Sequence, residues 1–283
     1  MNDGPASAEA HAKMERRALA ATGMALPVIG FGVSGPLGTP ATSQQEVTRL
    51  VEAMLNGGAN FFDVGPTYGM AEQRLGVALA ARPRASYLVS TKIGTVRHQG
   101  RLTKDYSPAG LRSQLEASLK RLCLDHVDIV FLHGTPPEGI QAPAVADMLQ
   151  ELRGSGLTRA IGATLRTREE LNACLDDPLI DAIQAPLWQG PAPDWPGLAN
   201  AAGKAAIVIE AMRPGVSRGA PRSGADLWYA LRAARDWARG TRSTAVSKSP
   251  LDLLNAALNT DGVACVLTTT TRLAHANANL AVA

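Results

Sequence analysis

Four residues with proton chemistry stand at or just past the ends of apolar runs in this sequence. Asp63 falls at the end of NFFDV (60–64), and Tyr68 follows in the turn GPTYG. Lys92 closes SYLVSTK (86–92), and His133 closes VDIVFLH (127–133). Taken singly, each is as well explained by a satisfied structural pairing. Taken together, they make a proton-transfer device. A phenol with a pKa near ~10 is a poor acid at neutral pH. A nearby ammonium stabilises the phenolate and lowers that pKa. A carboxylate keeps the ammonium charged and in place, and an imidazole can hydrogen-bond a substrate oxygen or help pass the proton.

The elements that must position these residues repeat along the chain. Eight β-like runs occur: LPVIGFG (26–32), NFFDV (60–64), SYLVSTK (86–92), VDIVFLH (127–133), TRAIGAT (158–164), DAIQAPL (181–187), AAIVIEA (205–211) and VACVLTT (263–269). Several are apolar on both faces, as parallel strands covered by helices must be. Helical patterns lie between them. Ser43 and Glu46 form a capping box ahead of Val47, Leu50, Val51 and Met54, and Gly57-Gly58 can end that helix. Ser107-Pro108 and Ser249-Pro250 each supply a cap and a first-turn proline. The alternation predicts an α/β fold, a (β/α)8 TIM barrel with eight parallel strands. A doubly wound sheet is the rival: GFGVSG (30–35) has the G-x-G-x-x-G spacing, but it starts inside the first run and Pro36 follows it, no phosphate-loop motif occurs, and eight β/α units favour the barrel. Arg17 to Gly23 is expected to form an N-terminal hairpin closing the barrel bottom. Residues 1–15 read as a flexible arm and 16–283 as a single barrel. Chemistry in such a barrel sits at the C-terminal strand ends. There Thr164, Gln184, Glu210 and the run Thr268 to Thr271 join the first four residues. Burying them unpaired would cost on the order of several kcal/mol each.

The charge balance, 28 basic against 25 acidic residues in 283, is too even to argue for nucleic acid or a membrane surface. Cys123, Cys174 and Cys265 lack metal-ligand spacing and read as buried small hydrophobes in a reducing compartment. The N-terminus has no apolar signal region, and no run approaches a membrane span. A soluble, cytoplasmic protein with a small-molecule partner is expected. His126, Asp128 and His133 alternate, but only His133 is at the reactive end, so no metal site is expected.

The stretches DVGPTYGMAEQRLG (63–76), STKIG (90–94), DHVDIVFLHG (125–134), LRGSGLTRAIGAT (152–164), DAIQ (181–184) and TTTTRLAHANANL (268–280) resemble those of the aldo-keto reductase superfamily. The likeness runs in order over nearly the whole chain. It implies an oxidoreductase that interconverts a small aldehyde, ketone or sugar carbonyl and its alcohol, with NADP(H), or alternatively NAD(H), as cofactor. By match of motif, Tyr68 is the general acid, Lys92 and Asp63 tune it, and His133 orients the carbonyl. Thr164 takes the place of a carboxamide-binding serine, with Gln184 as its companion. Gly32 and Val33 fall at the nicotinamide end. Thr270, Thr271, Arg272, His275 and Asn279 fall at the adenosine end, where a helix start favours a phosphate. Arg272 tilts the choice towards a 2′-phosphate.

Departures from the family pattern concern the cofactor. Glu210 or Met212 stands where an aromatic ring usually stacks on the nicotinamide. Leu165 replaces an asparagine, Leu187 and Trp188 replace a Tyr-Asn pair, and Thr269 replaces a glycine. Arg213, Arg218 and Arg222 occupy a Gly/Pro/Ser-rich loop that reads equally as a pyrophosphate clamp or a basic surface loop. Trp188, Tyr106, Trp228 and His98 are candidate rim residues, Trp188 foremost for substrate. Two other readings compete: a cofactor-binding barrel acting as a sensor or interaction module, and a Schiff-base lyase using Lys92. Asp63 argues against the second, because it keeps the amine protonated.

Overall fold

Strand side chains point alternately inwards and outwards, and in this protein the two tracks have different fates. The computed structural model describes residues 14–19, 22–98, 100–134, 136–187, 191–212, 223–238 and 248–283. Most of the N-terminal arm, Trp188 and the arginines at 213, 218 and 222 lie outside them.

The chain begins with an antiparallel hairpin, β1 (Arg16–Leu19) and β2 (Met24–Pro27). Then come β3 (Ile29–Gly32), α1 (Gln44–Asn56), β4 (Phe61–Asp63), α2 (Ala71–Leu79) and β5 (Leu88–Ile93). A second hairpin, β6 (Thr95–His98) and β7 (Arg101–Lys104), precedes α3 (Pro108–Leu122). Next are β8 (Val127–His133), α4 (Pro137–Ile140), α5 (Pro143–Gly154), β9 (Thr158–Thr164), α6 (Arg168–Leu175), β10 (Ala182–Pro186) and α7 (Trp195–Ala201). The rest comprises β11 (Ala205–Ile209), α8 (Gly224–Ala238), α9 (Pro250–Leu258), β12 (Val263–Thr268) and α10 (Leu273–Leu280). Strands β3, β4, β5, β8, β9, β10, β11 and β12 pair in parallel and close through β12–β3. This is the expected (β/α)8 barrel.

The inward track is apolar at the bottom and polar at the top. Phe61, Ile129, Phe131, Ala160, Ala182, Ala205, Ile207, Cys265 and Leu267 form one cluster, and the hairpin adds Leu19, Met24 and Leu26 to it. The hairpin thus stoppers the barrel as expected, but it spans Arg16–Pro27 rather than Arg17 to Gly23 and takes Leu26 and Pro27 from the expected first strand. Two residues further along the same track come Asp63, His133 and Gln184, and four beyond Ala160 comes Thr164. The period of two therefore dictates that these polar side chains share the interior above the plug. Gly162 leaves room for Phe131, whose ring lies 2.4 Å from where a Cβ would stand.

The outward track packs under the helices in a second, larger cluster. Val47, Leu50, Val51 and Met54 of α1 are buried in it, each contributing about 1.5–3 kcal/mol. The Ser43/Glu46 capping box forms in both directions, and so does the one at Ser249 with Asp252. A third, Thr167 with Glu170, starts α6. One expectation fails: Cys123 is exposed, while Cys174 and Cys265 are buried. Cys123 caps α3 with φ 55°, and this left-handed position projects it from the surface.

Candidate active site

The tightest polar cluster at the barrel mouth is built on Lys92. Asp63 of β4 pairs in register with Ser90 of β5, so Lys92 is two residues on and on the same face. Its Nζ donates to Asp63 Oδ1 at 2.8 Å, Asp63 Oδ2 at 2.6 Å and Val64 O at 3.0 Å. Ser90 Oγ donates to Asp63 Oδ1 at 2.7 Å. Lys92 is 1% exposed, so an unpaired ammonium there would be untenable. Burial pulls its pKa down, but Asp63, followed by Tyr68, outweighs burial and holds it above the ordinary lysine value.

Tyr68 is presented to this ammonium by a turn of unusual tightness. Its backbone N–H bonds Gly65 O at 3.1 Å, and Met70 N–H bonds Gly38 O at 2.9 Å. A Cβ on Gly38 would fall 1.7 Å from Tyr68 O, and Gly69 has φ 66°. Only glycine allows both the close approach and the left-handed turn. The ring comes to rest with its centroid 5.2 Å from Lys92 Nζ. The phenol pKa moves in the direction opposite to the expectation. Burial raises it above its ordinary value, and the nearby Lys92 only opposes that rise. Desolvation of the phenolate exceeds the attraction of one ammonium already shared with Asp63.

His133 meets Tyr68 edge to face, with ring centroids 6.4 Å apart. Burial, reinforced by Lys92, Lys104 and Arg166, lowers its pKa to about 3, so the imidazole is neutral at pH 7. Its Nδ1 is buried without a hydrogen-bond partner. Above the plug the structure thus gathers the Asp63–Lys92 ion pair, a neutral phenol at Tyr68 and an uncharged imidazole at His133.

Two further residues face the same interior. Thr164 Oγ1 donates to Gln184 Oε1 at 3.1 Å, and Gln184 Nε2 is buried with no partner. A buried amide donor left open is rare and points to an absent acceptor. Leu165 beside them is fully buried. Gly32 and Val33 are also buried, and Val33 N–H is given to Asp63 O at 2.8 Å. Met212 packs half-buried against the outer core. Glu210, just past β11, adopts φ 56° and pairs with Arg166 at 3.3 Å and Arg232 at 3.7 Å.

The far end of the mouth is less open than the sequence suggests. Thr269 Oγ1 donates to Gly32 O at 2.9 Å, and Thr270 Oγ1 accepts from Arg272 N at 3.1 Å. Thr271 is half-buried, His275 is exposed on the first turn of α10, and Asn279 is buried near its end. Arg272 Nη2 donates to both oxygens of Asp226 in α8, each at 3.0 Å. Tyr106 donates to Gly134 O at 2.8 Å, and the Trp228 ring lies against Gly35. Ser90, Arg166 and Asp226 escaped the sequence reading. Ser90 alone had a signal, its spacing of two from Lys92.

The Aldo/keto reductase family model matches residues 28–187, more than half of the chain, and the match includes Asp63, Tyr68, Lys92, His133, Thr164 and Gln184. L-galactose dehydrogenase of Arabidopsis thaliana is 38% identical over 163 residues, covering 54% of this chain and 49% of that protein. D-threo-aldose 1-dehydrogenase of a Pseudomonas species is 28% identical over 192 residues, with 59% and 58% covered. The NADH-specific methylglyoxal reductase of Escherichia coli K12 is 30% identical over 190 residues, with 61% and 58% covered. The chain spans about half the length of these curated relatives. The holo form of a Bacillus halodurans aldo-keto reductase superposes with a TM-score of 0.73 at 23% identity, covering 95% of this chain and 90% of that one. That last likeness concerns the fold alone. With the family model aligned to the strands that build the polar mouth, the chain belongs to the aldo/keto reductase family.

Proposed function

We propose that the protein is an oxidoreductase that interconverts a small carbonyl compound and its alcohol, with Tyr68 as general acid and base. The observation that carries this is the Lys92 ammonium, fixed by Asp63 and Val64 O, lying 5.2 Å from the Tyr68 ring. A carbonyl oxygen near Tyr68 and His133 would receive a proton from the phenol and a hydrogen bond from the neutral imidazole. Lys92 stabilises the phenolate left behind. The reverse sequence removes a proton from an alcohol. Relatives whose names describe oxidoreduction of sugars and of methylglyoxal support this class.

The residues present fit a nicotinamide dinucleotide. Gln184 Nε2 offers a buried donor of the kind a carboxamide oxygen takes, and Thr164 orients that amide. When bound, the cofactor would supply or accept the hydride. The preference for NADP(H) rests on Arg272, whose guanidinium is held by Asp226, so cofactor choice turns on that pair. Lys92 Nζ donates three hydrogen bonds and has a raised pKa, which argues against Schiff-base chemistry. No described helix is long and apolar enough to cross a membrane. The even charge balance favours a small-molecule partner over nucleic acid.

Tyr68→Phe tests the assignment. It should lower turnover of a panel of aldehydes by at least ~10²-fold while fluorescence titration still reports cofactor binding. Undiminished turnover refutes the role of Tyr68. Cofactor binding without turnover in the unaltered protein would favour the sensor reading, for which buried Leu165 is the supporting departure.

A further inference from the structure

Besides Lys92, three cations stand on the segments that flank Tyr68 and His133. Arg97 of β6 donates to Thr67 O at 3.3 Å, one residue before Tyr68. Lys104 of β7 donates to His133 O at 2.9 Å and Gly134 O at 3.0 Å. Arg166 follows the Thr164–Leu165 end of β9, with its side chain 52% exposed. The described carboxylates nearby are committed. Asp63 holds Lys92, and Glu210 is shared between Arg166 and Arg232. Glu170 accepts from the backbone N–H groups of Arg166 and Thr167. The mouth therefore carries an excess of positive charge over an uncharged phenol and imidazole.

We propose that the substrate is a carbonyl compound bearing a carboxylate or phosphate, and that Arg166 recognises that charge. This rests on the oxidoreductase reading above. A guanidinium presents a planar fork that matches either anion in two-point fashion. A cleft lined by one sign of charge also concentrates ligands of the other sign. The charge of Arg166 opposes the burial-driven rise of the Tyr68 phenol and adds to the lowering of the His133 imidazole, in each case less than Lys92 does. Glu210 serves as the resident counter-ion that the substrate displaces. Its left-handed backbone, uncommon outside glycine, places the carboxylate towards Arg166 across the end of β10.

Matched substrates decide the point: 4-oxobutanoate against butanal for the carboxylate, and glyceraldehyde 3-phosphate against glyceraldehyde for the phosphate. At least one anionic member should show a KM about tenfold lower than its neutral partner, and the pair that does so identifies the anion. Arg166→Met should bring that ratio near unity, Arg166→Lys should keep part of it, and Glu210→Gln should widen it. Equal KM values within both pairs, or an Arg166→Met effect equal on both members, overturns the proposal. Absence of turnover on all four counts against the oxidoreductase reading instead. Calorimetry with butanoate and butyramide on the cofactor-loaded protein then decides the inference. Butanoate must bind tighter, and Arg166→Met must abolish the difference; otherwise the proposal fails.

Discussion

Replacing Lys92 by Met keeps the length and most of the volume of the side chain and removes its charge. Three hydrogen bonds disappear, to Asp63 Oδ1, Asp63 Oδ2 and Val64 O. The Asp63 carboxylate stays buried and retains the Ser90 hydroxyl. Removing one partner of a buried ion pair costs about 3–5 kcal/mol. Against a usual stability of about 5–15 kcal/mol, the variant should still fold. Its Tm should fall by roughly 6–20 °C. The further change Asp63→Asn removes the stranded charge and should recover much of that loss. Urea unfolding of the four proteins in this cycle should give a coupling of about 2 kcal/mol or more. The stability linked to the raised Lys92 pKa is fully present below the ordinary lysine pKa. It is lost only as pH rises through the raised value of the folded state. Turnover should be lost in both Lys92 variants, because neither restores the ammonium beside Tyr68. Additive losses in the cycle, with coupling near zero, would refute the view that this pair organises the mouth.

Two other outcomes follow from the same geometry. His133 is neutral when folded, with a pKa of about 3, so the unfolded chain binds more protons between that value and the ordinary 6.5. Stability should therefore fall by up to about 1.4 kcal/mol per pH unit as pH drops below 6.5. Urea unfolding between pH 7 and pH 5 should show a shallower slope in His133→Gln; identical slopes would contradict the buried neutral imidazole. Asp226→Asn should release Arg272 and strengthen NADP(H) binding relative to NAD(H) about tenfold, or about 1.4 kcal/mol. Fluorescence titration with both cofactors measures this, and an unchanged ratio would separate Arg272 from the 2′-phosphate.

Much of the site was legible because its signals are local. Period-two alternation ties Asp63, Lys92, His133, Thr164 and Gln184 to one face of their strands, and serine caps mark where α1, α3 and α9 begin. The β6–β7 hairpin was not legible, because β7 is exposed along its whole length and no apolar face betrays a strand. The pairing of Arg272 with Asp226, 46 residues away, leaves no local trace either.

The order of apolar runs and caps determined the barrel, its hairpin plug and the strand ends that meet at its mouth. These follow from short-range rules of side-chain alternation and helix termination, which a linear sequence carries in full. Only the tertiary structure decided that the Tyr68 phenol is pushed up, that the His133 imidazole is left neutral, and that a backbone contact with Gly38 seats the Tyr68 turn. Desolvation and charge coupling depend on everything that surrounds a group in space, and neighbours distant in the chain supply most of it.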